Sequence, residues 1–350
     1  MTTIYLIRHA EAEGNLYRRA HGHYNSLITD NGYLQIKALS KRLEGITFDG
    51  VWSSDLFRTM TTARAIIDRT GQPLYTHEGI REMNLGDWED KTWGEIEIEF
   101  TEELALFSKS DSSLQITNGE SFQQLMARLQ TTITEIASKY PDGTVAIFCH
   151  GLAIRQFLSL VEGLPEDQWN TRHHSDNTGV NQLTWDGTTF KVEVEADSSH
   201  LNDEISTFAR QNWWRKDYGG VVADKNLCFS YATTPEEQDF YQQSQKTVWG
   251  DTPSTAETIV VVKHNGELVG VIALGLEGTI SLFYLKEGYQ GQCLGIQMLG
   301  KVVSETRKNG GEWLTLQLPE GSERAEKFFQ RYGFGEDRKK YIGYTPRKSL

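Results

Sequence analysis

The chain has 350 residues, a length typical of two domains of ordinary size. Its 38% hydrophobic and 24% charged residues are the proportions of a globular protein. The formal net charge of −13 is concentrated in residues 1–205, which carry 31 Asp/Glu against 17 Lys/Arg, whereas residues 206–350 carry 17 against 18. An acidic first half and a nearly neutral second half argue against nucleic acid and anionic membranes as partners.

The three cysteines stand far apart in the sequence, and no Cys-x-x-Cys pair occurs. Neither a disulfide framework nor a structural zinc site is therefore expected. The first residues lack the basic and apolar segments of a secretory signal, and no apolar run reaches the roughly 18 residues of a membrane span. We expect a cytoplasmic protein, and the sequence leaves its oligomeric state open.

The first half alternates strand and helix patterns. Short apolar runs rich in β-branched residues predict buried strands, and longer segments with apolar residues three or four positions apart predict helices. A turn at Asp186-Gly187 predicts a hairpin of strands 181–185 and 191–196. This alternation predicts an α/β domain, residues 1–205, with a largely parallel sheet. The other predicted strands are 3–7, 48–52 and 144–149, and the predicted helices are 29–43, 55–69, 94–108, 119–139 and 152–161.

A new pattern begins after residue 205, where the charge balance changes. Residues 206–225 show no regular pattern and are interpreted as a connector. Residues 226–350 are interpreted as a second domain, of the α+β class with a mixed sheet, and an Asn265-Gly266 turn predicts a hairpin within it. Its predicted strands are 227–232, 258–263, 268–274, 279–285, 313–318 and 340–344, and its predicted helices are 235–247, 296–308 and 323–332.

Charged and titratable side chains follow the strands of the first half. Arg8 and His9 end the first strand, His150 follows the third, and Arg58 lies in the first turn of the helix after the second. Because ligands of such sheets bind at the carboxyl ends of the strands, we expect these groups to surround one pocket. Arginine binds phosphate oxygens, and it lowers the pKa of a nearby imidazole, which can then attack phosphorus. Glu82 is a candidate acid in a loop over the pocket.

These residues belong to a set of motifs that resembles the signature of the histidine phosphatase, or phosphoglycerate mutase-like, superfamily. The resemblance covers about residues 1–205 and lies in several spaced motifs in the right order. One departure is Ala10, where the superfamily usually has glycine. The matching segments are Leu6-Ile7-Arg8-His9-Ala10-Glu11 with Asn15, Gly22 with Ser26-Leu27-Ile28-Thr29, Gly32 with Gln35, Ser53-Ser54-Asp55-Leu56 with Arg58 and Thr62-Ala63, Glu82 with Gly86-Asp87-Trp88-Glu89, and His150-Gly151.

The resemblance implies hydrolysis of a small phosphorylated metabolite without a metal or another cofactor. It implies that His9 is the phosphorylated nucleophile, and that Glu82 donates a proton and later activates water. Histidines 21 and 23 have no carboxylate or cysteine neighbours at metal-ligand spacing, so we expect no metal there. The implied ligands of the phosphoryl group are Arg8, Asn15, Arg58 and His150.

A mutase is the alternative reading of the same motifs. A mutase must bind a second phosphate, and the adjacent Arg18 and Arg19 are the candidates for that role. The first half is compact and acidic, however, whereas mutases of this superfamily usually carry longer insertions and extra basic residues. We therefore expect hydrolysis.

The second half contains a strand, a glycine-bearing loop and a helix over 281–308, which resembles the acetyl-CoA loop of the GNAT N-acetyltransferases. The segment from Ala325 to Phe334 resembles a second motif of that family. Two departures are Cys293, where the loop usually has glycine, and Phe329, where a tyrosine often donates a proton. The alternatives are therefore an acetyltransferase and a non-catalytic acyl-CoA-binding module that regulates the phosphatase. The implied acetyl-CoA-binding residues are Leu285, Gln290, Gly291, Gln292, Cys293, Leu294, Gly295 and Ile296.

Overall fold

A computed structural model describes residues 1–165, 168–169, 172, 174–211, 226–252 and 256–344. We call residues 1–211 the first region and residues 226–344 the second region. Each contains a six-stranded mixed sheet, which confirms the predicted α/β class and the mixed second sheet. Of the predicted connector 206–225, residues 212–225 lie outside the described residues. None of the described helices is both long and apolar enough to cross a membrane.

The first sheet is built from strands β1 (Thr2–Arg8), β2 (Gly50–Ser53), β3 (Leu74–Thr76), β4 (Thr144–Cys149), β5 (Val180–Trp185) and β6 (Phe190–Asp197). Their order across the sheet is β3-β2-β4-β1-β5-β6. The first four of these are parallel, and β5 and β6 form the predicted antiparallel hairpin. Two parallel strands can be joined only by a long connection, which is usually a helix, and this explains why helices alternate with the parallel strands here.

Helices cover both faces of the first sheet. Side chains alternate along β4, so Val145 and Ile147 contact one group of helices, and Ala146 and Phe148 contact another. The first group is α6 and α7, and the second is α2 and α3. The helices of this region are α1 (Glu13–Tyr17), α2 (Asp30–Arg42), α3 (Phe57–Thr70), α4 (Trp93–Glu99), α5 (Thr101–Lys109), α6 (Phe122–Ser138), α7 (Gly151–Val161) and α8 (Thr207–Arg210).

Two details differ from the sequence prediction. The acidic helix predicted over 94–108 is divided into α4 and α5, because Phe100 adopts φ −133° and ψ 43°, outside the helical range. The short elements α1, β3 and α8 were not predicted, since three to five residues carry no recognisable period.

The second sheet consists of β7 (Cys228–Tyr231), β8 (Thr258–His264), β9 (Glu267–Leu274), β10 (Thr279–Leu285), β11 (Trp313–Leu316) and β12 (Lys339–Tyr341). Its order is β12-β11-β10-β9-β8-β7, and β10 and β11 form its parallel pair. One face packs against α10 (Gly295–Lys308) and α11 (Glu323–Arg331), and the other against α9 (Pro235–Trp249).

The two regions are packed against each other through α1 and α10. Tyr17 of α1 is 3% exposed and belongs to the hydrophobic core of the second region. Gly300 of α10 allows this approach, because a Cβ atom there would lie 2.5 Å from the Cβ of Tyr17. The five-residue helix that follows the first strand is therefore partly buried by the second region.

Candidate active site

The parallel pairing of β1 with β4 places His9 and His150 side by side. Arg8 lies opposite Cys149 in the register, and the backbone N–H of His9 donates to the Cys149 carbonyl at 3.0 Å. The two imidazole centroids are 5.3 Å apart. The two histidines thus meet at the carboxyl edge of the sheet.

The orientation of His9 determines which ring nitrogen is nucleophilic. Its Nδ1 lies 2.8 Å from the carbonyl oxygen of Ala10. A carbonyl can only accept, so Nδ1 carries the proton of the neutral ring and Nε2 carries the lone pair. Nε2 is therefore the atom that can attack phosphorus.

The environment of His9 keeps the imidazole neutral. Burial holds the pKa of His9 well below its ordinary value of 6.5, and the positive charges of Arg58 and Arg8 lower this pKa further. The two arginines thus lower the pKa of His9, as expected from the sequence, but burial lowers it more. A neutral imidazole is the form that a nucleophile requires.

Arg8 is partly buried and offers a cationic group to an anion. Its Nη1 donates to the carbonyl of Ser175, while its buried Nε has no hydrogen-bond partner among the described residues. A Cβ atom at Gly151 would lie 3.0 Å from this Nε, so the glycine leaves room for the guanidinium. A buried donor without a protein partner points to a ligand with acceptor oxygens.

Arg58 is fixed by the loop that surrounds it. Its Nη2 donates to the carbonyls of His21 at 3.0 Å and Gly22 at 2.6 Å, and its Nη1 donates to that of Tyr24 at 3.0 Å. Burial lowers the pKa of Arg58 to about 10, so it is still a cation at neutral pH. Arg58 therefore both contributes charge and organises the backbone around the pocket.

His150 makes contacts that bear on its predicted role as a phosphoryl ligand. Its Nδ1 accepts from the Nε of Arg58 at 3.2 Å, so Nε2 carries the proton of the neutral ring and donates to the Ser54 hydroxyl at 2.7 Å. Burial, together with the charge of Arg58, lowers the pKa of His150 well below 6.5. In this structure His150 orients Arg58, and its direct contact with a phosphoryl group stays a prediction.

Glu82 lies at the N-terminal end of α7. Its Oε1 accepts from the backbone N–H groups of Met83 at 3.0 Å and Ala153 at 2.8 Å, and its Oε2 accepts from that of Leu152 at 3.0 Å. Oε2 accepts the fewer of these bonds, so it is the oxygen with a lone pair left for a proton. Glu82 is also close enough to Arg8 and Arg58 that its carboxylate form raises the pKa values of both.

Two hydrogen bonds to its carboxamide oxygen orient the side chain of Asn15. Its Oδ1 accepts from the backbone N–H of Ala12 at 3.0 Å and from the Nδ2 of Asn177 at 3.3 Å. With the oxygen engaged, the amide nitrogen is the group that can donate to a ligand.

His21 is a pocket residue that sequence reasoning missed. Its ring centroid is 5.6 Å from that of His9, and its Nδ1 lies 2.9 Å from the Ser26 hydroxyl. Burial, with the charges of Arg58 and Arg8, lowers its pKa well below 6.5. The only signal in the sequence was the spacing of His21 from a second histidine, which had raised the question of a metal. Among the described residues, no group of three or more His, Cys, Asp or Glu side chains is placed to bind a metal ion.

The arginine pair considered for a second phosphate is engaged by other residues of the protein. Arg19 is buried, and its Nε donates to the carboxylate of Asp90 at 2.8 Å. The Nη2 of Arg18 donates to the side chain of Asn226, in the second region, at 2.6 Å. The charge of Arg19 is thus paired with a buried carboxylate, which argues against a second-anion role for this pair.

The loop of the second region has a shape that suits a pyrophosphate. Strands β10 and β11 pair only at Thr279 with Thr315 and at Ile280 with Leu316, so they diverge beyond these residues. The α10 N-terminus follows the loop and has no side-chain cap, which leaves backbone N–H groups for an anion. The eight residues predicted to bind acetyl-CoA lie at the end of β10, in this loop and in the first turn of α10.

The two departures from the acetyltransferase pattern have different structural consequences. Cys293 is exposed and adopts the left-handed φ of 57°, the conformation for which glycine is favoured. Phe329 is 2% exposed and packs against Phe283 and Phe334, with ring centroids 5.1 and 5.0 Å apart. The loop therefore keeps a glycine-like backbone, whereas the usual tyrosine position lies in the core without a proton donor.

Comparison with known proteins identifies both regions. The family model for the histidine phosphatase superfamily (branch 1) matches residues 4–198, which is more than half of the chain. The chain belongs to the histidine phosphatase superfamily. A model for the acetyltransferase (GNAT) domain matches residues 228–343. Both predicted resemblances are confirmed.

Individual relatives match the first region. The "Probable phosphoglycerate mutase GpmB" of Enterobacter sp. (strain 638) is 28% identical over 207 residues, 58% of this chain and 96% of the relative. The solved structure titled "Bacillus stearothermophilus YhfR" is 31% identical, covers 58% of this chain and 100% of its own, and has a TM-score of 0.56. Mycobacterial glucosyl-3-phosphoglycerate phosphatase Rv2419c is 24% identical over 56% of this chain and 99% of its own, with a TM-score of 0.52, and supports the fold alone.

Proposed function

We propose that the first region hydrolyses phosphate monoesters through a phosphohistidine intermediate at Nε2 of His9. The observation that carries this proposal is the orientation of His9, whose Nδ1 proton is bonded to the Ala10 carbonyl beside the buried Arg58 and the partly buried Arg8. The substrate class is a small phosphorylated metabolite, and the free cysteines accord with a cytoplasmic location.

In the first step the lone pair of His9 Nε2 forms a bond to phosphorus, and the bond from phosphorus to the ester oxygen breaks. The leaving oxygen takes a proton from Oε2 of Glu82, so an alcohol is released. The ring gains positive charge, which the hydrogen bond from Nδ1 to the Ala10 carbonyl stabilises. Arg8 and Arg58 stabilise the charge on the phosphoryl oxygens.

In the second step Glu82, now a carboxylate, accepts a proton from water. The water oxygen forms a bond to phosphorus, and the bond from phosphorus to Nε2 breaks. Inorganic phosphate leaves, His9 recovers its lone pair, and Glu82 is again protonated. Protons and electron pairs balance over the cycle.

Hydrolysis is favoured over a mutase reaction by the environment of Arg18 and Arg19. A mutase needs a second anion site beside the first, but the charge of Arg19 is paired with Asp90, and Arg18 donates to Asn226. The experiment is to incubate the full chain with p-nitrophenyl phosphate in a chelator. Phosphate release at the rate of nitrophenol release supports a hydrolase. Transfer of phosphate to 3-phosphoglycerate without net release would contradict it.

We further propose that the second region binds acetyl-CoA through residues 290–296. The diverging strands and the glycine-like backbone at Cys293 support this proposal. When bound, the cofactor would supply an activated acetyl group, but Phe329 has no hydroxyl to protonate its thiolate. Binding without efficient acetyl transfer is therefore the expected behaviour.

The test is a thermal melt of the full chain with acetyl-CoA. At 100 times its dissociation constant, a ligand stabilises the folded protein by about 2.7 kcal/mol. We expect an upward shift that is lost when Cys293→Trp places a large side chain in the loop. An unchanged melting temperature at millimolar acetyl-CoA would contradict the proposal.

A further inference from the structure

Residues 13–27, which we call the pocket loop, carry Asn15 and His21 to the phosphoryl pocket. The loop is closed at its two ends by Glu13. Its backbone N–H donates to the Leu27 carbonyl at 2.9 Å, and its carboxylate Oε2 accepts from the Leu27 N–H at 3.1 Å. The position of Glu13 therefore fixes both ends of the segment.

A residue of the second region binds this carboxylate. The Nη1 of Arg307, in α10, donates to Oε2 of Glu13 at 2.7 Å, and its Nη2 donates to Oε1 at 2.9 Å. The side chains are 7% and 13% exposed, so the pair is largely shielded from water. The remaining Nε of Arg307 donates to the Ile342 carbonyl at 2.6 Å. Two parallel bonds on one side and a third behind them leave the guanidinium little freedom.

Further contacts, apolar and polar, attach the pocket loop to the second region. Tyr17 is buried against Gly300, and its hydroxyl accepts from the Nζ of Lys340 at 3.1 Å. Further along α10, the Ser304 hydroxyl donates to the carboxylate of Asp90, which also binds Arg19 of the pocket loop. The pocket loop is thus attached to α10 at its beginning and at its middle.

We propose that Arg307 is a positioning residue for the phosphatase reaction, supplied by the second region. By binding Glu13, it fixes the pocket loop and therefore the directions of Asn15 and His21 toward the phosphoryl group. This inference rests on the proposed function of the first region. The cited curated relative aligns with only 58% of this chain, while 96% of its own length is covered, so it offers no counterpart of this contact.

The physical reason is that a buried ion pair with two bonds fixes direction as well as distance. Small displacements of groups around a reacting phosphoryl cost about a hundredfold in rate at the extreme. The substitution Arg307→Met keeps a long apolar side chain but leaves the Glu13 carboxylate without its buried partner. The pocket loop then loses the restraint at its closed end.

The experiment is a double-mutant cycle in the full chain, with Arg307→Met, Glu13→Gln and the double variant. The readouts are kcat and KM for p-nitrophenyl phosphate, the inhibition constant of orthovanadate and the melting temperature. Arg42→Met is the matched control, because it breaks an ion pair with Asp197 that contacts no residue of the pocket loop. We expect each single variant to lower kcat/KM and vanadate affinity about tenfold. The double variant should lose no more than either single one, and the control should keep both values.

Additive losses in the double variant would overturn the proposal, because Arg307 would then not act through Glu13. A lowered melting temperature with unchanged kinetics and vanadate affinity would overturn it too, since the contact would be merely structural. If Arg307→Met does not fold, Arg307→Lys keeps the charge without the two parallel bonds and should still weaken vanadate binding. Vanadate affinity also separates the two proposals, because a wild-type chain that binds vanadate without turnover would contradict only the proposed function.

Discussion

The two regions of this chain differ in which parts of their proposed sites are present. In the first region the groups of the proposed mechanism lie close together, with His9 neutral, Arg58 buried, Arg8 partly buried, and Glu82 at the N-terminal end of α7. In the second region the backbone that would bind a cofactor is present, but the position of the proton donor is the buried Phe329. A ligand-binding backbone and a reacting side chain are thus separable features of a fold.

The difference also shows how each site depends on its surroundings. The phosphoryl pocket needs side chains fixed in particular directions, and it obtains part of that order from α10 of the second region. The loop proposed to bind acetyl-CoA, residues 290–296, would use backbone N–H groups, and Cys293 keeps the positive φ that glycine usually supplies there. The following changes test this contrast.

The largest expected effect is that of His9→Ala. Removal of the nucleophile should lower kcat for p-nitrophenyl phosphate at least a thousandfold, because the nitrogen that forms the bond to phosphorus is then missing. The measurement is steady-state hydrolysis in a chelator. His264→Ala, in the second region, is the matched control and should keep the wild-type rate. Full activity of His9→Ala would contradict the mechanism.

The next largest effect is expected for Glu82→Gln. Glutamine keeps the size of the side chain but cannot donate or accept the transferred proton, so both steps should slow by about 10² to 10⁴. A comparison of esters with good and poor leaving groups is the sharpest measurement. We expect the loss of kcat/KM, which reports the first step, to be smaller for p-nitrophenyl phosphate, whose leaving group needs little protonation, than for an alkyl phosphate. Equal losses would argue against an acid role.

A smaller effect concerns stability against pH. Burial lowers the pKa values of His9, His21 and His150 well below 6.5, so the unfolded chain binds more protons than the folded chain once the pH falls below that value. The free energy of unfolding should therefore be largest above pH 6.5 and fall on acidification, by up to about 1.4 kcal/mol per pH unit for each histidine. Urea denaturation at several pH values measures this slope. His21→Gln should make the slope against pH shallower. A slope identical to that of the wild type would contradict the lowered pKa of His21.

The smallest effect is expected for Phe329→Tyr in the second region. The added hydroxyl would enter the core beside Phe283 and Phe334 and should destabilise the protein by about 1 to 3 kcal/mol if it stays unbonded. We expect no gain of acetyl transfer to a panel of amines. Phe328→Tyr, at a half-buried position, is the control and should cost less stability. Acetyl transfer that appears only in Phe329→Tyr would contradict this expectation, because the tyrosine hydroxyl would then be the one group that the acetyltransferase site had been missing.

Much of the fold was predictable because its signals are local. Buried parallel strands are short apolar runs, and their order in the α/β pattern places His9 and His150 at one edge without any knowledge of the structure. The hairpins followed from their turn residues, Asp186-Gly187 and Asn265-Gly266. The family motifs then gave roles to residues that the pattern had only brought together.

The remainder was not predictable because its causes are distant in the sequence. Helix α1 has five residues, and its order comes from partners such as Gly300 and Arg307 that lie near the other end of the chain. His21 enters the pocket because the loop closes at Glu13, which no local pattern shows. The contacts of Arg18 and Arg19 likewise depend on side chains that the sequence does not bring near them.

The most direct test of the account is the chemical state of His9 during turnover. With p-nitrophenyl phosphate, whose leaving group needs little protonation, Glu82→Gln should slow the second step more than the first and so accumulate the phosphoenzyme. A sample quenched in alkali preserves the acid-labile bond for mass spectrometry and phosphorus NMR. The account predicts one phosphoryl group on the peptide that contains His9, attached to Nε2. A phosphoryl group on another residue, or on Nδ1, or turnover without any phosphoenzyme, would contradict it.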